Sequence, residues 1–235
     1  MPREGFVERS GVRLQYLQAG EDQGLVPLVY VPGALAGAGV FTEEMERLAP
    51  RRVVAVSLRG RGGSDAPEEG YAFEHQVSDL GAILGELDLP PFCLMGYSRG
   101  VPIALAYAAE HPDRLRGMIL LDYPARYPRT TGRWVREAQE AFPDTPDHVI
   151  QRLHEESEEV LLWDRLGNID CPTLIMYGGR LEASLLPEDA ARYRQVLPQA
   201  TLVEFEDSDH EVWKPDYQRF MGEIERFLEE LDRPV

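Results

Sequence analysis

One serine of this chain stands where a nucleophile would be expected. Residues 96–100 read Gly-Tyr-Ser-Arg-Gly, and they follow the apolar run 92–95 and open an Ala-rich helical segment, 98–111. A sharp turn from a strand into a helix would hold the Ser98 hydroxyl on a strained corner, and small flanking residues let the chain pass close to its neighbours there. The helix N-terminus would favour negative charge developing at the same place. The pattern therefore predicts Ser98 as a nucleophile.

A serine hydroxyl needs a base within reach, and His210 is the histidine best placed to serve. It lies in the loop after the predicted strand 201–205 and before the last predicted helix, 217–231. Loops at the carboxyl edge of a parallel sheet share one site, and Ser98 lies at that edge. The other four histidines lie at helix ends or among polar neighbours. We therefore predict His210 as the base.

Two carboxylates compete for the task of orienting His210 and stabilising its charged form. Glu182 follows the predicted strand 173–177, and Asp122 ends the predicted strand 118–121. Both lie between Ser98 and His210 along the chain. We favour Glu182, because its strand directly precedes the strand that leads to His210, and we keep Asp122 as the alternative.

Attack by Ser98 would create an oxyanion that needs preorganised N–H donors. The backbone N–H of Arg99 is one candidate. The second would come from the small-residue loop 32–39, at Ala34 or at Leu35, since the proline at its start has no N–H and the glycine after it allows close approach.

The elements that must position these residues alternate along the chain. Most of the predicted strands are continuously apolar, which is typical of a parallel sheet covered on both faces. The predicted strands are 6–9, 12–18, 25–31, 53–58, 92–95, 118–121, 173–177 and 201–205. Apolar residues at helical spacing predict the helices 42–48, 75–87, 98–111, 187–196 and 217–231.

The alternation breaks in the middle of the chain. Between residues 124 and 170 no strand is predicted, and two amphipathic helices, 133–142 and 146–162, take their place. We therefore expect a core made of residues 1–123 and 171–235, with residues 124–170 inserted as a small helical cap.

The composition of the chain disfavours some classes of binding partner. The 235 residues suit one sizeable domain, and the formal net charge of −17 disfavours nucleic acid and anionic membranes, which reward clustered positive charge. Two cysteines show no disulfide or metal-type spacing, and no signal-like or membrane-spanning run is visible. We expect a cytoplasmic protein acting on a small molecule, with no metal and no cofactor. The oligomeric state stays open.

In order and spacing, the motifs of the chain resemble the α/β-hydrolase fold family over almost the whole length. The motifs are residues 31–33 (Val-Pro-Gly), 59–65 (Arg-Gly-Arg-Gly-Gly-Ser-Asp), 96–100 (Gly-Tyr-Ser-Arg-Gly), 111–115 (His-Pro-Asp-Arg-Leu), 171–175 (Cys-Pro-Thr-Leu-Ile) and 209–210 (Asp-His). The resemblance implies an α/β fold with a mostly parallel sheet of about eight strands, helices on both faces and a small helical cap. It gives Ser98, Glu182 and His210 the catalytic positions, and Ala34 and Arg99 the oxyanion-hole positions.

The chain departs from that family at two places. Pro32 and Gly33 stand where the family usually has His-Gly, so a polar support of the oxyanion loop is missing. Glu182 stands where the family more often has Asp, which keeps Asp122 in contention.

Arg99 is an uncommon neighbour for such a nucleophile, since similar proteins more often carry Met, Gln or Leu. Its guanidinium would either hold a substrate carboxylate through two hydrogen bonds or pair with a carboxylate of the chain and support the turn. Leu35, Trp134, Phe142 and Trp163 are further candidates to line a substrate pocket, although aromatics on amphipathic helices often only pack the cap itself.

The resulting hypothesis is a serine hydrolase, carboxylesterase-like, that cleaves short- to medium-chain carboxylic esters through an acyl-serine intermediate. A C–C hydrolase or lyase of the menaquinone-pathway type, using the same triad, is one alternative. A non-catalytic ligand-binding protein on the same fold is the other.

Overall fold

The structure is a computed structural model that describes residues 1–233. The strands in this part of the chain are β1 (Arg3–Arg9), β2 (Val12–Ala19), β3 (Leu28–Val31), β4 (Val53–Val56), β5 (Phe92–Tyr97), β6 (Leu115–Leu121), β7 (Arg126–Tyr127), β8 (Val160–Leu161), β9 (Thr173–Gly178) and β10 (Ala200–Phe205). The helices are α1 (Thr42–Arg47), α2 (Phe73–Glu86), α3 (Gly100–Glu110), α4 (Gly132–Ala141), α5 (Asp147–Glu155), α6 (Pro187–Val196) and α7 (Tyr217–Leu231).

Eight strands form one sheet in the order β1-β2-β4-β3-β5-β6-β9-β10. Strand β2 is antiparallel to both of its neighbours, and every other neighbouring pair in the sheet is parallel. Strands β3, β4 and β9 are buried at every residue, as strands covered on both faces must be. The predicted mostly parallel sheet of about eight strands is confirmed.

Helices cover both faces of this sheet because successive strand residues point to opposite sides. Val29 and Val31 of β3 pack into one apolar cluster, with α2, α3 and α6. Leu28 and Tyr30 of the same strand pack into a second cluster, with α1 and α7. The carboxyl ends of the central strands therefore open onto a single edge, between the two layers of helices.

The cap segment, residues 124–170, contains more than the two predicted helices. Strands β7 and β8 pair with each other in a separate two-stranded sheet, so the expectation of no strand in this segment is wrong. The predicted helix 146–162 is also wrong in its second half, since α5 ends at Glu155. The next residue, Glu156, accepts hydrogen bonds from the backbone N–H groups of Gly70, Tyr71 and Ala72, just before α2, and these bonds fix the chain at the point where α5 ends.

The two ends of the cap segment pack differently. Apolar residues of α4 and α5 form a third cluster that includes Leu35 and Tyr71, so these helices lie over the loop after β3. Residues 162–169 instead pack into the cluster beneath α3 and α6. The division of the chain into a core and a cap stays a prediction. Within residues 1–233, no helix combines the length and the apolarity that crossing a membrane requires.

Candidate active site

The turn that carries Ser98 has the backbone strain expected of a nucleophile elbow. Ser98 has a φ of 51°, in the left-handed region that residues with a side chain rarely adopt. A Cβ added to Gly96 would lie 2.9 Å from the carbonyl oxygen of Gly100, and one added to Gly100 would meet the carbonyl oxygen of Val31. Both flanking glycines are therefore required by the close passage of the chain.

Ser98, His210 and Asp122 form a continuous hydrogen-bonded chain. The Nε2 atom of His210 lies 2.9 Å from the Oγ atom of Ser98, and its Nδ1 atom lies 2.7 Å from Oδ2 of Asp122. Asp122 is an acceptor at Nδ1, so the neutral ring carries its proton there and leaves Nε2 free to accept the serine proton. This arrangement can activate the Ser98 hydroxyl for attack on a carbonyl carbon.

Asp122 is held in place from several directions. It follows β6 with a φ of 45° and is completely buried. Besides His210, its carboxylate accepts backbone N–H groups from Gly178 at 3.1 Å, Ser184 at 2.7 Å and Leu185 at 3.4 Å. These donors stabilise the negative charge and fix its orientation toward the imidazole ring.

Glu182 does not reach His210, and the preference for it as the orienting acid is wrong. It lies exposed in the turn after β9, and its loop contributes the N–H groups of Ser184 and Leu185 to Asp122 instead. The order of strands along the chain does not identify the orienting acid, because β9 and β6 are neighbours in the sheet and the loops that follow them both approach His210. Only Asp122 stands directly at a strand end, where its backbone turns the carboxylate inward.

Two free backbone N–H groups flank the nucleophile. The N–H of Arg99 and the N–H of Ala34 donate to no backbone or side-chain acceptor of residues 1–233, and that of Leu35 is also free. The Ala34 loop passes directly against the elbow, since a Cβ on Gly33 would lie 2.8 Å from the Cβ atom of Ser98. The arrangement suits an oxyanion hole.

Arg61 supports the Ala34 loop from below, a role that the sequence did not indicate. Ala34 has a φ of 35°, and its carbonyl oxygen accepts a hydrogen bond of 3.0 Å from Nε of Arg61. The same guanidinium donates to the carbonyl of Arg59 and to Oε1 of Gln76. A buried arginine thus takes the supporting place for which the usual His-Gly pair is missing.

Two tyrosines that sequence reasoning missed pack around His210. The ring of Tyr97 stacks on the imidazole with 5.0 Å between centroids, and its hydroxyl donates to the carbonyl of His210 at 3.3 Å. Burial raises the pKa of Tyr97 well above its ordinary value, so this hydroxyl stays a donor. The ring of Tyr123 lies 6.4 Å from the imidazole. Their positions beside Ser98 and Asp122 in the sequence are the signal that could have found them.

The Arg99 side chain extends under the cap segment. Its guanidinium carbon lies 4.3 Å from the ring centroid of Tyr127 and 5.3 Å from that of Trp134. One long hydrogen bond, 3.5 Å to the carbonyl of Pro128, is its only hydrogen bond to residues 1–233. The structure therefore brings Arg99 and Trp134 together, and their assignment to a substrate pocket stays a prediction.

The other predicted pocket residues are dispersed. Leu35 is buried among the cap helices, and Phe142 lines a cavity of about 390 Å³ beside Tyr97. Trp163 is enclosed between Tyr193, at 4.9 Å, and the guanidinium of Arg192, at 4.5 Å. The assignment of Trp163 to a substrate pocket is therefore wrong, because its ring fills the core.

Comparison with known proteins agrees with the fold. Residues 26–166, more than half of the chain, match the model of the family described as alpha/beta hydrolase fold, and the chain belongs to this family. It is 36% identical over 87 residues to the AB hydrolase superfamily protein YisY of Bacillus subtilis, covering 36% of this chain and 32% of that protein. It is 32% identical over 104 residues to a 2-(acetamidomethylene)succinate hydrolase of Mesorhizobium japonicum, covering 43% of this chain and 37% of that enzyme. The chain thus spans about a third of the length of these curated relatives.

Among solved structures, the esterase RhEst1 from Rhodococcus sp. ECU1013 is similar to this chain with a TM-score of 0.80 and 21% identity, covering 98% of this chain and 99% of that one. At this level of identity the similarity concerns the fold.

Proposed function

We propose that this chain is a serine hydrolase that cleaves short- to medium-chain carboxylic esters through an acyl-serine intermediate. The observation that carries the proposal is the hydrogen-bonded chain from Ser98 through His210 to the buried Asp122, with distances of 2.9 and 2.7 Å. The free N–H groups of Arg99 and Ala34 beside it supply the second requirement of acyl transfer. Membership of the alpha/beta hydrolase fold family supports the proposal as well.

The reaction follows from the positions of these groups. As the Ser98 oxygen bonds to the ester carbonyl carbon, His210 takes the serine proton, and the carbonyl electrons move onto the oxygen held by the N–H groups of Arg99 and Ala34. The intermediate then expels the alkoxide, which receives the proton from His210 and leaves as the alcohol. Water attacks the acyl-serine in the same way and releases the acid, with Ser98 regaining its proton. Asp122 stays ionised and stabilises the imidazolium in both halves.

A largely apolar cavity beside the nucleophile is suited to the acyl chain. It has a volume of about 390 Å³, and one of its lining residues, Tyr97, directly precedes Ser98. Two carboxylates, Glu44 and Glu211, also line it, and the remaining lining residues are apolar or aromatic: Tyr30, Ala36, Val40, Phe41, Met95, Leu121, Phe142, Trp213 and Phe220. Such a lining gains free energy from each methylene it takes from water, about 0.8 kcal/mol per CH₂.

The proposal is tested by labelling with a fluorophosphonate probe and by turnover of a panel of 4-nitrophenyl esters. We expect stoichiometric labelling that is lost in Ser98→Ala and in His210→Ala but retained in Ser78→Ala, a serine on α2 outside the site. Folded protein that is not labelled would refute the nucleophile and favour a non-catalytic ligand-binding protein. Labelling without turnover of any ester would refute ester hydrolysis and favour C–C bond cleavage or elimination on the same triad.

A further inference from the structure

We infer that the guanidinium of Arg99 is a carboxylate-binding site, and that the substrates of this chain are acyl compounds carrying a carboxylate group. The second part of the inference, that these carboxylate compounds are substrates, rests on the proposed function.

The charge of Arg99 is buried and has no counter-ion. The residue is 8% exposed, and no ion pair within residues 1–233 includes it. Taking a cation out of water without an anion is unfavourable, and a chain with a net charge of −17 has many acids that could have paired with it. This rules out the alternative that Arg99 pairs with a carboxylate of the described chain.

Two side-chain nitrogens of Arg99 have no hydrogen-bond partner and are not fully enclosed. Only one of its three side-chain nitrogens has a hydrogen-bond partner. Every fully enclosed side-chain nitrogen or oxygen among residues 1–233 has a partner, so the other two nitrogens must lie at an accessible surface. The rings of Tyr127 and Trp134 lie against the guanidinium group and accept no hydrogen bond from its nitrogens. A carboxylate is the ligand that a guanidinium group binds through two parallel hydrogen bonds.

A second unneutralised arginine adds to the positive potential. Arg61 is 5% exposed, and all three acceptors of its hydrogen bonds are uncharged. Burial is the main cause that lowers the pKa of Arg61, and the positive charge of Arg99 also lowers it, whereas Tyr127 and Asp79 act in the opposite direction. The nearby Asp79 is already committed to Arg59, with contacts of 2.6 and 2.8 Å.

Arg99 lies close to the reacting groups. Arg99 directly follows Ser98 in the chain, so its side chain begins one residue from the nucleophile. The Oγ atom of Ser98 lies 2.9 Å from Nε2 of His210. A carboxylate bound by Arg99 would therefore belong to a compound whose ester bond lies within reach of Ser98.

The outer surface of the cap segment favours the approach of an anion. Residues 124–136 contain four arginines and no acidic residue, in a chain that is otherwise strongly acidic. All four are exposed: Arg126, Arg129, Arg133 and Arg136. Arg133 pairs with Glu137 at 2.6 Å, so Arg126, Arg129 and Arg136 are the three of these arginines without an ion pair among residues 1–233. Their charge favours the approach of an anionic ligand to this part of the surface.

The first experiment compares two esters of equal chain length, the mono-4-nitrophenyl ester of glutaric acid and 4-nitrophenyl valerate. The measured quantity is the ratio of their kcat/KM values. In Arg99→Met, which keeps the packing against Tyr127 and Trp134, we expect this ratio to fall by about 10- to 100-fold. Arg99→Lys should recover part of it. Arg192→Met is the matched control, because it removes an arginine stacked on another tryptophan and should leave the ratio unchanged.

The second experiment measures binding without turnover. Ser98→Ala is titrated with glutarate by calorimetry at low salt, and we expect saturable binding that weakens with salt and is lost in the double variant with Arg99→Met. The inference would be overturned if glutarate bound equally well with and without Arg99. It would also be overturned if the ratio of the two kcat/KM values were unchanged in a folded Arg99 variant. Arg99-dependent binding by a chain that hydrolyses no ester would instead refute the proposed function and leave the carboxylate site standing.

Discussion

The exchange of Asp122 for Asn is the sharpest test of the proposed triad. The carboxylate is completely buried, and Oδ2 accepts both Nδ1–H of His210 at 2.7 Å and the N–H of Ser184 at 2.7 Å. In Asp122→Asn, an NH₂ group in the Oδ2 position would face two other hydrogen-bond donors, Nδ1–H of His210 and the N–H of Ser184. With the amide oxygen there instead, the NH₂ group would face the N–H of Gly178, which lies 3.1 Å from Oδ1.

The first orientation of the amide forces His210 to place its proton on Nε2, so that Nε2 can no longer accept the Ser98 proton. The second leaves the imidazolium without a neighbouring negative charge. Loss of the acid from a triad of this kind lowers kcat by about 10⁴-fold, which is about 5.4 kcal/mol of transition-state stabilisation. We expect a loss of this size in kcat for 4-nitrophenyl butyrate, with a small change in KM, because Asp122 does not face the substrate.

Glu182→Gln is the matched control, since it makes the same change from acid to amide in the neighbouring loop. Glu182 is exposed and makes no contact with His210, so its kcat should stay within about twofold of that of the parent. Circular dichroism and unfolding by urea would confirm that both variants are folded. A folded Asp122→Asn variant with kcat within tenfold of the parent would refute the assignment of the acid, as would a loss in Glu182→Gln that equals the loss in Asp122→Asn.

Two further predictions concern the supports of the site. Arg61→Met removes the donor that holds the carbonyl of Ala34, so we expect kcat to fall by about tenfold or more with KM little changed. Arg61→Lys should recover part of kcat. If kcat and KM worsened by equal factors, Arg61 would not be a positioning residue. Glu156→Gln replaces one of the two carboxylate oxygens that together accept three backbone N–H groups before α2. The free energy of unfolding, measured in urea, should therefore fall by about 1–2 kcal/mol. The control Glu155→Gln, at the exposed neighbouring residue, should unfold like the parent. Equal stability of all three proteins would show that Glu156 does not anchor the cap segment.

The sheet could be predicted from the sequence because its signal is strong and repeated. Strands buried on both faces must be apolar at every position, and all eight predicted strands of the main sheet are present. Ser98 was also predictable, because a side chain at Gly96 or Gly100 would clash with neighbouring backbone atoms. These features are local, and each follows from the composition of a few consecutive residues.

The acid and the pocket could not be predicted in the same way. Which carboxylate meets His210 depends on the direction in which a loop residue points, and the positive φ of Asp122 leaves no periodic trace in the sequence. Trp134 and Trp163 both lie in the segment predicted as the cap, yet one lies over Arg99 and the other fills the core against Tyr193. The end of α5 depends on a contact with residues more than eighty positions earlier.

Arg99 and Arg61 share one physical feature that separates them from the other strongly buried arginines. Arg59 and Arg51 are also at most 8% exposed, but each is paired with an aspartate, Asp79 and Asp232 respectively. The fold can therefore neutralise buried arginines, and it does so away from the nucleophile. Leaving two cations unpaired costs stability, and the cost is offset only when an anion is present. A carboxylate-bearing substrate would supply that anion, so glutarate should raise the melting temperature of Ser98→Ala and have no effect on the Ser98→Ala, Arg99→Met double variant.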